Sequence, residues 1–153
     1  MDDLQRLVIE QACRQLMARY CLHLDHLELD EFAGLWAPDG VYKPAASPER
    51  IVGRPAILEW AHAYPKNRFG RHLSANEVVD VVDAEHATGS SYAVVFREPD
   101  PRPGILSSRV TPRSVAEYRD EFRLTEGGWR FASRVYRINF LEAGEPNRPA
   151  PSF

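Results

Sequence analysis

The chain has 153 residues, of which 44% are apolar and 27% charged, and a net charge of −3. That length supports one domain with a substantial core, and the balance is that of a folded globular chain. A mildly acidic chain has no electrostatic reason to bind nucleic acid or an anionic membrane, and no apolar run approaches the roughly 20 residues that span a bilayer, so neither is expected as a partner.

Met1-Asp2-Asp3 is acidic and runs straight into a helical pattern, so no signal peptide is expected. Asp2 or Asp3 is placed to cap that helix. Apolar residues at Leu4, Leu7, Val8, Ala12, Leu16, Tyr20, Leu24 and Leu27 form one buried stripe and carry the helix to about Asp25. Asp25 sits at the stripe's edge, where a carboxylate must either turn to water or find a partner. Cys13 and Cys21 are separated along this helix by about 12 Å, at roughly 1.5 Å of rise per residue, which forbids a disulfide between them. Reduced thiols and a cytoplasmic location follow as the expectation.

Asp30 is expected to cap a short second helix through Leu35, with Phe32, Leu35 and Trp36 as its apolar side. Ala37-Pro38-Asp39-Gly40 reads as a turn in which Pro38 sets the bend and Gly40 supplies a positive φ. Val41-Tyr42-Lys43 is a short strand ended by Pro44. Gly53-Arg54-Pro55 opens a third helix, with Ile57, Leu58, Ala61 and Tyr64 on its buried side and Pro65 as its stop.

From Arg71 the apolar period changes to two. His72, Ser74, Asn76, Val78 and Val82 share one face and Leu73, Ala75, Val79 and Val81 the other, unless a bulge at Asn76–Val79 swaps them. Thr88 to Phe96 is a second long strand with Tyr92, Val94 and Phe96 on one side. Glu98 to Pro112, with four prolines, is a loop. Ser114 to Thr125 alternates cleanly, one face buried and one wet, except that Asp120 lies on the apolar face. Structural pairing with Arg134 or Arg137 is the ordinary fate of such a carboxylate. Glu126-Gly127-Gly128 is a hairpin turn and Trp129 to Phe140 the last strand. Residues 1–140 are read as a single domain and 141–153 as a proline-rich arm. Helices first and strands afterwards predict an α+β fold, with N-terminal helices on the concave face of a curved, mostly antiparallel sheet around a conical pocket.

Several strings in this order resemble the SnoaL-like branch of the NTF2-like superfamily. They are Tyr20…Asp25…Asp30-Glu31-Phe32, Ala37-Pro38-Asp39-Gly40-Val41-Tyr42, Gly53-Arg54-Pro55, Arg71-His72, and Tyr118-Arg119-Asp120 followed by Gly127-Gly128-Trp129-Arg130. The resemblance covers roughly residues 4 to 140 and implies the NTF2-like cone. That fold hosts many functions, so activity has to be argued from the site. The dehydratase and dehydrochlorinase members pair an Asp late in the first helix with a His at the start of the first long strand, and Asp25 and His72 fall at those places. Tyr20 and Tyr42 resemble tyrosines of dehydratase members. Tyr92 (or Ala93) and Tyr118 stand where one such enzyme carries a His and an Asn, and Arg137 lies close to an Arg late in the last strand of another.

A carboxylate bonded to one imidazole nitrogen fixes the tautomer, leaving the other nitrogen to accept a proton. In an apolar cone such a pair can eliminate water without a cofactor, with a Tyr at Tyr20, Tyr42, Tyr92 or Tyr118 donating to the developing oxyanion and Arg137 orienting substrate. The plain alternative is that Asp25 ends its helix and His72 is a strand residue satisfied by backbone. His23 and His26 can share a helix face, but Asp25 points away from both around the helix, so no metal is expected with His72. The expected function is a cofactor-free dehydratase-type lyase on a small, mostly apolar, cyclic oxygenated substrate. Isomerisation or polyketide-type cyclisation by the same base, and a non-catalytic ligand-binding or assembly module, are the alternatives. The resemblance also implies a homodimer or homotrimer.

Overall fold

The computed structural model describes residues 1–45, 47, 49–63, 66, 69–108 and 110–142. Helix α1 (Asp3–His26) begins with a reciprocal cap: Gln5 N–H donates to Asp2 Oδ1 at 2.7 Å, and Asp2 N–H donates to Gln5 Oε1 at 3.0 Å. Its buried face is Ile9, Cys13, Leu16, Met17, Tyr20, Cys21 and Leu24. Leu4, Leu7 and Val8, expected in that stripe, are exposed instead. The first turns of α1 border an open groove with Ala84, Leu124 and Trp129 rather than sealing against the sheet.

Helix α2 (Leu29–Gly34) starts after Glu28 without a side-chain cap, so Asp30 lies inside its first turn, favourably placed for the helix dipole, and is not the cap expected. Strand β1 (Trp36–Lys43) absorbs the Ala37–Gly40 segment read as a turn. Between Trp36, paired with Phe131, and Val41, paired with Ser133, the strand bulges. Gly40 is needed there for close approach and not for a positive φ: a Cβ would stand 3.1 Å from the carbonyl oxygens of both Ala37 and Phe131. The two-residue strand β2 (Ile51–Val52) carries no sequence signal of its own, and α3 (Arg54–His62) opens with Pro55 as the sequence implies. Tyr64 and Pro65, and the arm from residue 143 onward, lie outside the described residues.

Four long strands follow: β3 (Phe69–Val81), β4 (His86–Glu98), β5 (Ser114–Thr125) and β6 (Gly128–Leu141). The sheet runs β2-β1-β6-β5-β4-β3, antiparallel throughout except for the parallel β1–β6 pair. The anticipated bulge in β3 is present between Ala75 and Val78, where Asn76 takes φ 55°. It reverses the pleat, so His72 and Ser74 before it share the helix-covered face with Val79 and Val81 after it. Gly89 lets α1 settle onto that face, because a Cβ there would meet Met17 at 2.8 Å and the Phe122 ring at 2.9 Å.

Cys13 and Cys21 are free and buried between α1 and the sheet, and burial, the largest cause, pushes both thiols up to about 12. Native protein at mildly alkaline pH is therefore expected to resist iodoacetamide, both thiols reacting only after unfolding; mass spectrometry of the alkylated chain reads this directly. Because the folded values lie above the ordinary 9.0, the thiols' contribution to stability is complete below that pH and is lost as pH rises towards about 12.

Candidate active site

Asp25 is the penultimate residue of α1, whose chain leaves through Leu27 in the left-handed region at φ 58°. A carboxylate at a helix C-terminus faces the negative end of the dipole, so its place needs compensation. His72 supplies it. The backbone N–H of His72 donates to Asp25 Oδ2 at 2.8 Å, and its Nδ1 donates to Asp25 Oδ1 at 2.5 Å. Because an ionised carboxylate only accepts, this geometry places the ring proton on Nδ1. The two side chains are 4% and 8% exposed, in contrast to the His86–Asp83 pair on the surface at 54% and 55%. His72 Nε2 has no hydrogen-bond partner among the described residues and is not sealed from solvent.

The sheet register sets what faces that nitrogen. His72 pairs with Val95 and Val95 with Ser114 in one row; Ser74, Ala93 and Ala116 form the next; Tyr118 and Tyr136 follow. Small side chains at Ser74, Ala93 and Ala116 therefore floor the span between His72 and Tyr118, whose α-carbons are roughly 16 Å apart at ordinary sheet spacings. The Tyr118 side chain is buried at the end of that span. Ser74 Oγ in that floor is sealed and unpaired.

Deeper in, the cone is filled. The hydroxyls of Tyr20 and Tyr42 bond to each other at 2.9 Å, and both side chains are fully buried. Burial holds the phenols of Tyr20, Tyr42 and Tyr118 well above their ordinary values, so all three remain protonated donors. Below them Arg134 donates from Nε and Nη2 to the two carboxylate oxygens of Asp120, each at 2.7 Å. Its guanidinium lies 4.2 Å from the ring centres of Tyr20 and Tyr118 and 4.3 Å from that of Phe131. Burial opposes the Arg134 cation, but Asp120 more than offsets it and keeps Arg134 charged. The hairpin register makes Asp120 and Arg134 direct partners, which decides between the two arginines the sequence left open.

Two expected site residues are not brought to the cone. Tyr92 stands on the opposite face of β4, 51% exposed, because the inward positions are Ser91, Ala93 and Val95. Arg137 follows Tyr136, whose ring stacks on inward-facing Tyr118, so strand alternation turns it outward opposite Glu117. His23 bonds Glu28 at 2.6 Å, away from Asp25. Among the described residues no three His, Cys, Asp or Glu side chains gather as a metal-binding set. Arg134 is the site residue the sequence underrated; its signal was an acid on the buried face of an alternating strand.

The SnoaL-like domain matches residues 5–135 of this chain. Among solved structures, Rv3472, a function-unknown protein from Mycobacterium tuberculosis, is 28% identical over 93% of this chain and 83% of its own, with a TM-score of 0.73. An NTF2-like protein with a cystatin-like fold from Novosphingobium aromaticivorans is 27% identical over 94% of both chains, with a TM-score of 0.72. LinA is 21% identical over 97% of this chain and 99% of its own, TM-score 0.75, a likeness of fold. No curated protein matches the chain.

Proposed function

The chain belongs to the SnoaL-like domain family, and on that premise we propose that it is a cofactor-free lyase eliminating water from a small, mostly apolar, cyclic oxygenated substrate. The observation that carries this reading is the 2.5 Å bond from His72 Nδ1 to Asp25 Oδ1, in a nearly buried setting with Nε2 left open. In the proposed reaction Nε2 takes a proton from the carbon next to a carbonyl, and electron density moves onto the carbonyl oxygen. The Tyr118 hydroxyl donates to that oxygen as its charge grows. The C–O bond to the departing hydroxyl then breaks, the imidazolium returns its proton to that oxygen, and water leaves with the base restored. One base serving both steps makes the elimination syn.

The same base returning its proton to another carbon gives isomerisation, and an enolate attacking a second carbonyl gives a polyketide-type cyclisation. Incubating the protein with hydroxylated cyclic ketones and reading products by mass separates these: loss of water supports the lyase, an unchanged mass supports isomerisation. Absence of any turnover with ligands that demonstrably bind contradicts the enzyme reading and leaves a binding module. We also propose a homodimer or homotrimer through the outer sheet face, where Leu73, Val78 and Tyr92 are all more than half exposed. A monomer by sedimentation at micromolar concentration contradicts it. The free, buried thiols support a reducing, cytoplasmic setting, and no described helix is long and apolar enough to cross a membrane.

A further inference from the structure

We propose that the exposed face of the first turns of α1 is where a second copy of this chain docks, the two helices lying antiparallel about a twofold axis at Val8. This contact is separate from the Asp25–His72 pair and from the outer sheet face. Leu4, Leu7 and Val8 have the i, i+3, i+4 spacing of an apolar helix face, yet they are 70%, 57% and 60% exposed. A different side of the helix, through Ile9, Cys13, Leu16 and Tyr20, serves the core. Beside the exposed ridge runs an open groove of about 530 Å³, bounded by α1 on one side and by Ala84, Leu124 and Trp129 on the other. Leu124 and Trp129 are cross-strand partners at the end of the β5–β6 hairpin. No charged side chain lines the groove among the described residues.

Ridge and groove lie side by side on one face, so the face is self-complementary, as a twofold contact requires. The exposed residues that continue it along α1, Gln11 and Gln15, are uncharged in a chain of which 27% is charged. Loss of charge at the centre of a patch is the composition of an interface core. Charge is confined to one flank, where the helical repeat lines up Asp3, Leu7, Glu10 and Arg14. In an antiparallel pair centred at Val8 these flanks meet, and Asp3 of each copy comes level with the partner's Arg14. Opposite charges therefore meet at both ends of the contact. Arg14, 3.5 Å from Glu10 in its own helix, already lies along that flank. Met1, Leu4, Leu7, Val8 and Leu124 are each 42–70% exposed. With the glutamines they offer on the order of 600 Å² per copy, against the roughly 600–1,000 Å² per partner of a specific interface. A contiguous apolar patch of that size is what a monomer seldom leaves in water.

The test is sedimentation equilibrium of the full chain over the micromolar range, with circular dichroism of each variant to check its fold. Val8→Lys and Val8→Glu are each expected to halve the mass of the parent assembly, because Val8 meets the partner's Val8 at the axis and like charges repel there. An equimolar mixture of these two variants should recover the parent mass; a mixture that stays dissociated overturns the antiparallel arrangement. Leu4→Lys, in the same ridge, should weaken association about tenfold or more, and it carries the test if Val8→Lys fails to fold. Leu22→Lys, 55% exposed further along α1 and beyond the groove, should sediment as the parent does. Tyr92→Lys reads the outer sheet face separately: dissociation by Tyr92→Lys with Val8→Lys silent means that only the sheet pairs, and overturns this contact. A parent that sediments as a single chain, or whose mass neither Val8→Lys nor Leu4→Lys reduces, overturns it as well.

Discussion

Replacing His72 by Ala is expected to lower kcat/KM by about 10²- to 10⁴-fold, the range for removing a positioned general acid–base group. The loss should fall on kcat, because the imidazole does its work as the proton moves and not in holding the ground state. The fold should survive. Asp25 keeps the bond from the residue-72 backbone N–H, 2.8 Å in the parent, and loses one partner, which costs about 1–3 kcal/mol. Asp25→Asn should cost less activity than His72→Ala, since the ring remains but its orientation and tautomer are no longer enforced. The surface pair gives the control: His86→Ala removes an exposed imidazole also bonded to an aspartate, and turnover should not change. Steady-state kinetics with urea melts on the same preparations check all three; equal effects at His72 and His86 would defeat the assignment.

The largest effect on stability is expected at Arg134. Replacing it by Met leaves the Asp120 carboxylate fully buried without its two 2.7 Å bonds and removes the cation from between Tyr20, Tyr118 and Phe131. Breaking one side of a buried pair costs about 3–5 kcal/mol, a large part of the roughly 5–15 kcal/mol that holds a domain together. Removing both partners, Asp120→Leu with Arg134→Met, should recover much of that loss, because no orphan charge remains. A double-mutant cycle in urea measures the coupling. Additive losses would mean that the pair packs like neutral side chains.

Much of this arrangement is legible in the amino-acid sequence, and particular residues show why. The period-two pattern of Ser114 to Thr125 exposes Asp120 as an acid on a buried face, which forces a partner; hairpin register then names Arg134. Asp25 at the edge of an apolar stripe poses the same question, but only family resemblance points across 47 residues to His72. Local pattern carries no information on such a pairing. The bulge at Asn76 is foreseeable because apolar residues keep one parity before it (Leu73, Ala75) and occupy both after it (Val78, Val79, Val81, Val82). Tyr92 and Arg137 fail for a complementary reason. An aromatic or an arginine suits either face of a strand, and only the register with Ala93 and with Tyr136 decides which face it takes. The Ala37–Gly40 segment carries turn chemistry that the β1–β6 pairing overrides, so Pro38 and Gly40 serve a bulge instead.

The most direct test of the central claim needs no substrate. Nitrogen NMR of the His72 ring at mildly alkaline pH reports which nitrogen carries the proton. The geometry predicts a proton on Nδ1, shifted far downfield by its short bond to Asp25, and a bare lone pair on Nε2; Asp25→Asn should abolish that downfield proton. A ring protonated on Nε2 and bare at Nδ1 would leave no base facing the cone and would contradict the account.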